Sequence, residues 1–400
     1  MALFDRFASL AQARADLVQG HLNPFGTRID EIFSPTEGRI GDYRVILAGT
    51  NNYLGLTFDP ACIQAAQQAL AQQGTGTTGS RMANGSYGSH LSLEAELGDF
   101  LARRSVIVFS TGYLVNLGVI GALAGPEDIV LLDADCHASI YDACKLGGAQ
   151  VIRFRHNDAA DLERRMLRLG ERARHALILV EGIYSMLGDQ APLGEIVEVK
   201  RRLGGYLLVD EAHSVGVLGA RGRGLAEELG VEADVDVVMG TFSKSLGAIG
   251  GFAASHDPDL ELLRCASRPY IFTASPSPSA IASVRAALQV LRSRPELRER
   301  LWFNARRLYR GLAELGYRTG PQPSPVIPVL LGSPKEGVAF WQGLIERGVY
   351  VNLVPPLATP GGQALVRCSV SAAHTSEQIE RIVQAFAQLR APADQAVVGA

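Results

Sequence analysis

The sequence predicts an α/β fold: a mostly parallel central sheet in a large domain, followed by a smaller C-terminal α/β domain. Three observations lead there. Short apolar runs recur with helical stretches between them, as in SVIVF at 105–109 and ALILVEG at 176–182, and runs apolar on both faces suit strands covered by helices on either side. Polar residues collect directly after these runs. Beyond about residue 285 the texture changes to long Arg-rich helical sequence, a Pro-rich linker and shorter strands, as expected for a second domain.

Residues 1–50 read as an N-terminal helix and arm. MALFDRFASLAQARADLVQG carries acidic residues early and lacks a long apolar core, which speaks against a secretory signal and for an amphipathic helix packed on the protein. The large domain, 51–285, takes its strands from SVIVF at 105–109, IVLL at 129–132, VIRF at 151–154, ALILVEG at 176–182, YLLVDEA at 206–212, VDVVMG at 235–240 and GGFAAS at 250–255. The 22 uncharged residues from Ser105 to Pro126 are long enough for a membrane span, but Gly112, Asn116, Gly118, Gly121 and Gly125 interrupt them. That stretch reads instead as a buried strand, a tight turn and a packed helix. The small domain, 286–400, opens with helical sequence over 295–315 and the linker GPQPSPVIP at 320–328.

The 400 residues carry 38 Lys+Arg against 41 Asp+Glu, a formal net charge of −3, which excludes the strongly basic footprint of a nucleic-acid coat protein. With 47% hydrophobic and 20% charged residues the composition is globular. Five cysteines, Cys62, Cys136, Cys144, Cys265 and Cys368, form no CxxC pair, so they read as reduced thiols rather than metal ligands, and no metal site is expected. The expected place is the cytoplasm, with at most peripheral contact at the inner face of the membrane. Only four residues are lysine: Lys145, Lys200, Lys244 and Lys335. Amine chemistry has no other candidates.

Lys244 stands in MGTFSKSLGAIGG and is the only Lys, Arg, Asp or Glu between Asp236 and Asp257. An ammonium among small and apolar residues is partly desolvated, which favours the neutral, nucleophilic amine. Lys200 in the charged helix EIVEVKRRLG, Lys145 near a helix end and Lys335 opening a helix read as ordinary surface lysines. Asp210 ends the run GGYLLVD and is followed by His213 and Ser214; alone it could equally cap the next turn. An acid and an imidazole at one strand end, with an isolated lysine at the end of the next, are the parts of a pyridoxal 5′-phosphate site: a pyridinium partner, a group on the ring hydroxyl and a Schiff-base amine. STGY at 110–113 offers backbone N–H groups to a phosphate where strand passes to helix, backed by the Thr241 and Ser243 hydroxyls. His137 follows another strand end, where it either caps a helix or stacks on a flat cofactor.

DEAHS at 210–214, GTFSKS at 240–245, GY at 112–113 and HASIYD at 137–142 resemble the α-oxoamine synthases, pyridoxal phosphate enzymes of the aspartate-aminotransferase-like fold, fold type I. The resemblance runs from NNYLGL at 51–56 to VRCSVSAAHT at 366–375. Within the family, GTGTTGSRMANGSYGSH at 74–90, EGIYSMLGDQAPL at 181–193 and SRPYIFTAS at 267–275 are similar to the members that join L-serine to a long-chain acyl thioester such as palmitoyl-CoA, the donor being a CoA or acyl carrier protein ester. The alternative is a sister activity using glycine or alanine with a shorter thioester. The resemblance implies that Lys244 forms the Schiff base and moves protons, that Asp210 pairs with the pyridinium nitrogen, and that His213 and Ser185 lie around the ring hydroxyl. It implies that His137 stacks on the ring and meets the substrate carboxylate, and that Gly112, Tyr113, Thr241 and Ser243 hold the phosphate, joined by Thr273 from the partner in a homodimer with shared sites. Arg367 would bind the amino-acid carboxylate, with Asn52 near the substrate. Two segments depart from the family pattern: ASPSPS after Thr273, where relatives more often carry a Leu-Pro-Pro-like stretch, and the loop VNLVPPLATPGGQA before the Arg367 strand.

Overall fold

The computed structural model describes residues 3–18, 23–24, 26–354 and 364–390. The chain divides into two compact units, one of Asn51–Ser185 and Asp189–Glu299, the other of Met1–Thr50, Met186–Gly188 and Arg300–Ala400. In the second unit, β1 (Glu31–Ser34), β2 (Glu37–Ile40) and β3 (Tyr43–Leu47) form an antiparallel meander.

The first unit is built on a seven-stranded sheet: β4 (Ser105–Phe109), β5 (Ile129–Asp133), β6 (Gln150–Phe154), β7 (Leu177–Glu181), β8 (Tyr206–Asp210), β9 (Val237–Thr241) and β10 (Gly251–Ser255), in the order β4-β10-β9-β8-β7-β5-β6. Only β10 runs against its neighbours. Every residue of β4, β5, β7, β9 and β10 is buried, which is why these strands read as unbroken apolar runs. The edge strand β6 exposes three of its five residues and half-buries a fourth, and its pattern is correspondingly mixed. The segment 105–126 forms the expected strand, turn and helix (Gly112–Leu123). No helix among the described residues is long and apolar enough to cross a membrane.

The second unit also holds β11 (Val326–Leu330), β12 (Val349–Tyr350), β13 (Asn352–Val354) and β14 (Leu365–Ser369). β11, β14 and β13 form an antiparallel sheet, while β12 pairs in parallel with β3. That non-local pairing is why residues up to Thr50 group with the C-terminal unit rather than standing as a separate arm. The boundary after residue 285 also moves: helix Pro278–Ser293 packs on helix Pro60–Gln73 of the first unit, and the division falls inside helix Glu296–Glu314.

Two further expectations need correction. The N-terminal helix exists, as Ala8–Leu17, but it has no apolar stripe: Leu10 is half exposed and the flanking Phe7 likewise. Its two leucines, Leu10 and Leu17, fall on the side of the helix opposite Ala8, Ala11 and Ala15, so no single face collects the apolar residues. The last three residues of the 320–328 linker belong to strand β11, with Pro328 inside it. β11 lies at the edge of its sheet, where a residue without an N–H is tolerated.

Candidate active site

Asp133, Glu181, Asp210 and Thr241 are the last residues of β5, β7, β8 and β9, so the parallel strands deliver their polar termini to one edge of the sheet. A cavity of about 390 Å³ opens there, walled by Gly112, Tyr113, His137, Asp210, His213, Thr241, Ser243 and Lys244 among others. Eight of the residues singled out from the sequence thus meet in one place.

Each is held by its own element. Thr111 caps the helix Gly112–Leu123, its Oγ1 accepting the Leu114 N–H at 3.1 Å. A Cβ on Gly112 would fall 2.8 Å from the Thr241 Cβ and 2.9 Å from its Oγ1. Glycine is what lets this helix N-terminus come against the hydroxyl, and helix terminus plus hydroxyl is a cradle for a phosphate. Thr241 Oγ1 and Ser243 Oγ are 2.8 Å apart. Lys244 lies in the connection from β9 to β10, closed by the Gly247 N–H to the Lys244 carbonyl at 3.0 Å. Gly247 adopts φ +64° and a side chain there would meet the Thr57 backbone nitrogen at 2.9 Å.

Asp210 is buried, with Oδ2 accepting from Asn116 Nδ2 at 2.8 Å and Oδ1 from the Ala212 N–H at 3.0 Å. His213 Nδ1 pairs with Tyr53 OH at 2.6 Å. His137 caps helix Ala138–Gly147 through Nδ1, which accepts the Ser139 N–H at 3.2 Å, and it stands exposed on the cavity wall. Enclosure on its packed side pushes the imidazole pKa down; Asp210 opposes this and the charge of Lys244 adds to it. The carboxyl of Glu181, beside Asp210 in the sheet register, is pushed well above its ordinary range by burial and by Asp210, while its Oε1 accepts the His137 N–H.

The other expected residues are not among those lining this cavity. Asn52 is buried and donates from Nδ2 to Thr57 Oγ1 at 2.7 Å. Ser185 follows β7, and Thr273 precedes the bridge between Ala274 and Ser80; neither lines the cavity. Arg367 is buried on β14 in the other unit, opposite Pro328 and Asn352 in register. The departure ASPSPS turns out to be a helix start, with Ser277 capping Pro278–Ser293. The segment expected as a loop at 351–364 opens instead with strand β13, and its residues 355–363 lie outside the described residues. Sequence reasoning passed over Asn116, Ser139, Glu181 and Tyr53 as site residues. Asn116 sits one turn beyond Gly112, and Ser139 two residues beyond His137, so proximity to the motifs was the available signal.

Of the lysines set aside, Lys145 is exposed, but Lys200 is not an ordinary surface residue: its Nζ lies 2.5 Å from Asp236 Oδ2 and 2.6 Å from the Asp234 carbonyl, with the side chain 15% exposed.

A second polar group stands on the same sheet edge. His156 lies between Asp133 Oδ1 at 2.8 Å and Asp189 Oδ2 at 2.7 Å, with Asp135 at 3.9 Å and the Tyr184 ring edge-on at 4.5 Å. Burial works against its charge, but the bonds to Asp133 and Asp189 outweigh it and push the pKa up to about 10 from 6.5. The folded protein keeps a proton there that the unfolded chain sheds above pH 6.5. The clasp therefore contributes fully below that pH and loses its contribution as pH rises toward about 10. Denaturant titrations of the wild type and His156→Gln are expected to differ most at and below pH 6.5 and to approach each other near pH 10; a gap that widens with pH would contradict this.

The sequence pattern of the family described as aminotransferase class I and II matches residues 43–386. The chain belongs to the class I and II aminotransferase family. It is 54% identical to a serine palmitoyltransferase of Caulobacter vibrioides, over 98% of this chain and 97% of that protein. It is 39% identical to an 8-amino-7-oxononanoate synthase of Anaeromyxobacter dehalogenans, over 89% and 90%. Its fold matches a serine palmitoyltransferase variant from S. paucimobilis, solved with pyridoxal phosphate joined to myriocin, at a TM-score of 0.95 and 46% identity, over 97% and 98% of the two chains. These aminotransferase-family relatives bear out the resemblance to the α-oxoamine synthases and the fold type I architecture. The cofactor is pyridoxal 5′-phosphate. The cavity fits it: a phosphate cradle stripped of a Cβ at Gly112, a buried carboxylate at Asp210 and an amine at Lys244 line one space, and the buried Asn116 Oδ1 on its wall has no hydrogen-bond partner.

Proposed function

We propose that the protein condenses L-serine with a long-chain acyl thioester, palmitoyl-CoA being the type substrate, to give 3-ketodihydrosphingosine, carbon dioxide and the free thiol, the entry step of sphingolipid synthesis. The observation that carries this reading is the convergence of Lys244, Asp210, His213 and His137 on one cavity at the strand ends. The bound cofactor supplies an electron sink for the pair left at the substrate Cα.

Lys244 would hold the cofactor and, as general base, would take the Cα proton and return one after decarboxylation. Asp210, its orientation set by Asn116 and the Ala212 N–H, receives the pyridinium N–H. Gly112, Tyr113, Thr241 and Ser243 hold the phosphate, and His213 and Ser185 serve the ring hydroxyl. His137 covers one face and donates to the substrate carboxylate. Asn52 lies near the substrate. Two copies share their sites through Thr273; the neighbouring Phe272, 73% exposed, is an apolar side chain that a second copy would cover. The chain works in the cytoplasm, meeting the membrane at most peripherally.

Arg367 is assigned to the serine carboxylate, a planar bidentate partner for guanidinium. Arg367→Ala is expected to raise the serine KM by about 10- to 100-fold, the value of one charge-assisted pair; unchanged serine kinetics would remove it from the site. The function itself is tested by offering purified protein serine, glycine or alanine with thioesters from acetyl to palmitoyl. Serine with palmitoyl-CoA should give the highest kcat/KM. A preference for glycine or alanine with a short thioester would move the protein to a sister activity such as 8-amino-7-oxononanoate synthase or 2-amino-3-ketobutyrate CoA ligase.

A further inference from the structure

On the cavity wall, four side chains, Asp210, Asn116, Ser139 and His137, form one chain of hydrogen bonds. Asn116, 3% exposed on the helix Gly112–Leu123, donates from Nδ2 to Asp210 Oδ2 at 2.8 Å and to Ser139 Oγ at 2.8 Å. An amide nitrogen has two protons, so both are committed. The carboxylate partner, an acceptor, decides which end of the amide is the nitrogen. Ser139 Oγ accepts from Asn116, which leaves its own proton for His137 Nδ1 at 2.7 Å. The same Nδ1 accepts the Ser139 N–H at 3.2 Å. A ring nitrogen that accepts from two donors carries no proton, so the neutral imidazole keeps its proton on Nε2.

We propose that Asn116 and Ser139 are positioning residues that hold His137 in the Nε2–H tautomer and tie its orientation to that of Asp210. The proposal rests on the reading in which His137 meets the substrate carboxylate. The held tautomer makes Nε2–H a donor toward that anion, whereas the opposite tautomer would present it a lone pair. Because one amide serves both Asp210 and Ser139, the group that faces the pyridinium and the group that covers the ring are set by a single side chain. The charges around His137 pull in both directions: Asp210 and Asp142 favour a protonated ring, Lys244 disfavours it, and Glu181 engages only the backbone N–H. Those charges leave the choice between the two neutral tautomers to the hydrogen bonds at Nδ1.

The test uses the full chain labelled with nitrogen-15 histidine, free of cofactor, with His137→Asn to assign the signal. Near neutral pH the wild type should show a pyridine-type Nδ1 and a pyrrole-type Nε2 at His137. Ser139→Ala, which deletes one oxygen, should mix the two tautomers and raise the imidazole pKa, because the neutral form loses a donor at its lone pair. In the loaded enzyme the same variant should raise the amino-acid KM about 5- to 10-fold while kcat stays within about threefold. Asn116→Ala, which keeps Ser139, should shift the nitrogen pattern less and weaken cofactor binding about fivefold. A pyrrole-type Nδ1 at His137 in the wild type overturns the tautomer assignment, a wild-type nitrogen pattern and pKa in Ser139→Ala overturns the role of the Ser139 hydroxyl, and a wild-type pattern with wild-type cofactor affinity in Asn116→Ala overturns the tie to Asp210. The nitrogen signals are read without turnover, so a wild type that fails to use serine would count against the proposed function alone.

Discussion

Lys244→Ala is expected to lower turnover by at least about 10⁴-fold, because the group that anchors the cofactor and the group that moves the Cα proton are then both gone. The same variant should lose the visible absorption of the anchored cofactor. No other lysine can substitute. Lys145 is exposed, paired with Asp142 at 3.4 Å on its own helix, Lys335 opens another helix, and Lys200 is spent on Asp236 and the Asp234 carbonyl. Arginine could not take the role, since a guanidinium remains protonated. Lys200→Ala is the informative control: losing a half-buried ion pair should cost about 1–3 kcal/mol of stability and leave kcat intact. A coloured and active Lys244→Ala protein would remove Lys244 from the site.

Asp210→Asn is expected to lower kcat by about 10²- to 10³-fold, the usual effect of removing one preorganised electrostatic partner. The substitution is nearly isosteric. The Asn116 and Ala212 donors, at 2.8 and 3.0 Å, were aimed at two carboxylate oxygens, and an amide offers them only one. The amide also lacks the negative charge that keeps a pyridinium protonated. Cofactor content should fall less than kcat, because the phosphate cradle at Gly112, Thr241 and Ser243 is untouched. Measured kcat within tenfold of wild type would show that Asp210 does not face the ring nitrogen.

The sheet was readable because most of its strands are buried on both faces and therefore leave continuous apolar runs, and the cavity because β5, β7, β8 and β9 each end in a polar residue at the same edge. What escaped the sequence depends on partners far along the chain. The parallel pairing of β3 with β12, about 300 residues apart, cannot be seen in local pattern. Lys200 looked like a solvated charge until Asp236 was found against it, and Asn116 and Ser139 looked like ordinary helix residues until Asp210 and His137 appeared beside them. Pro328 argued for a linker because proline is rare in strands, yet an edge strand admits it. The N-terminal helix shows the reverse error: apolar content alone, without the right spacing, does not make an apolar face.

The central claim is that one active site couples loss of the serine carboxyl to acyl transfer. It is tested most directly with L-serine carrying carbon-13 at C1, palmitoyl-CoA and the purified protein, following labelled carbon dioxide, free thiol and long-chain amino ketone together. The account predicts the three in equal amounts, with no label left in the lipid product. Labelled carbon dioxide released without thiol, or a keto acid that retains the label, would contradict it.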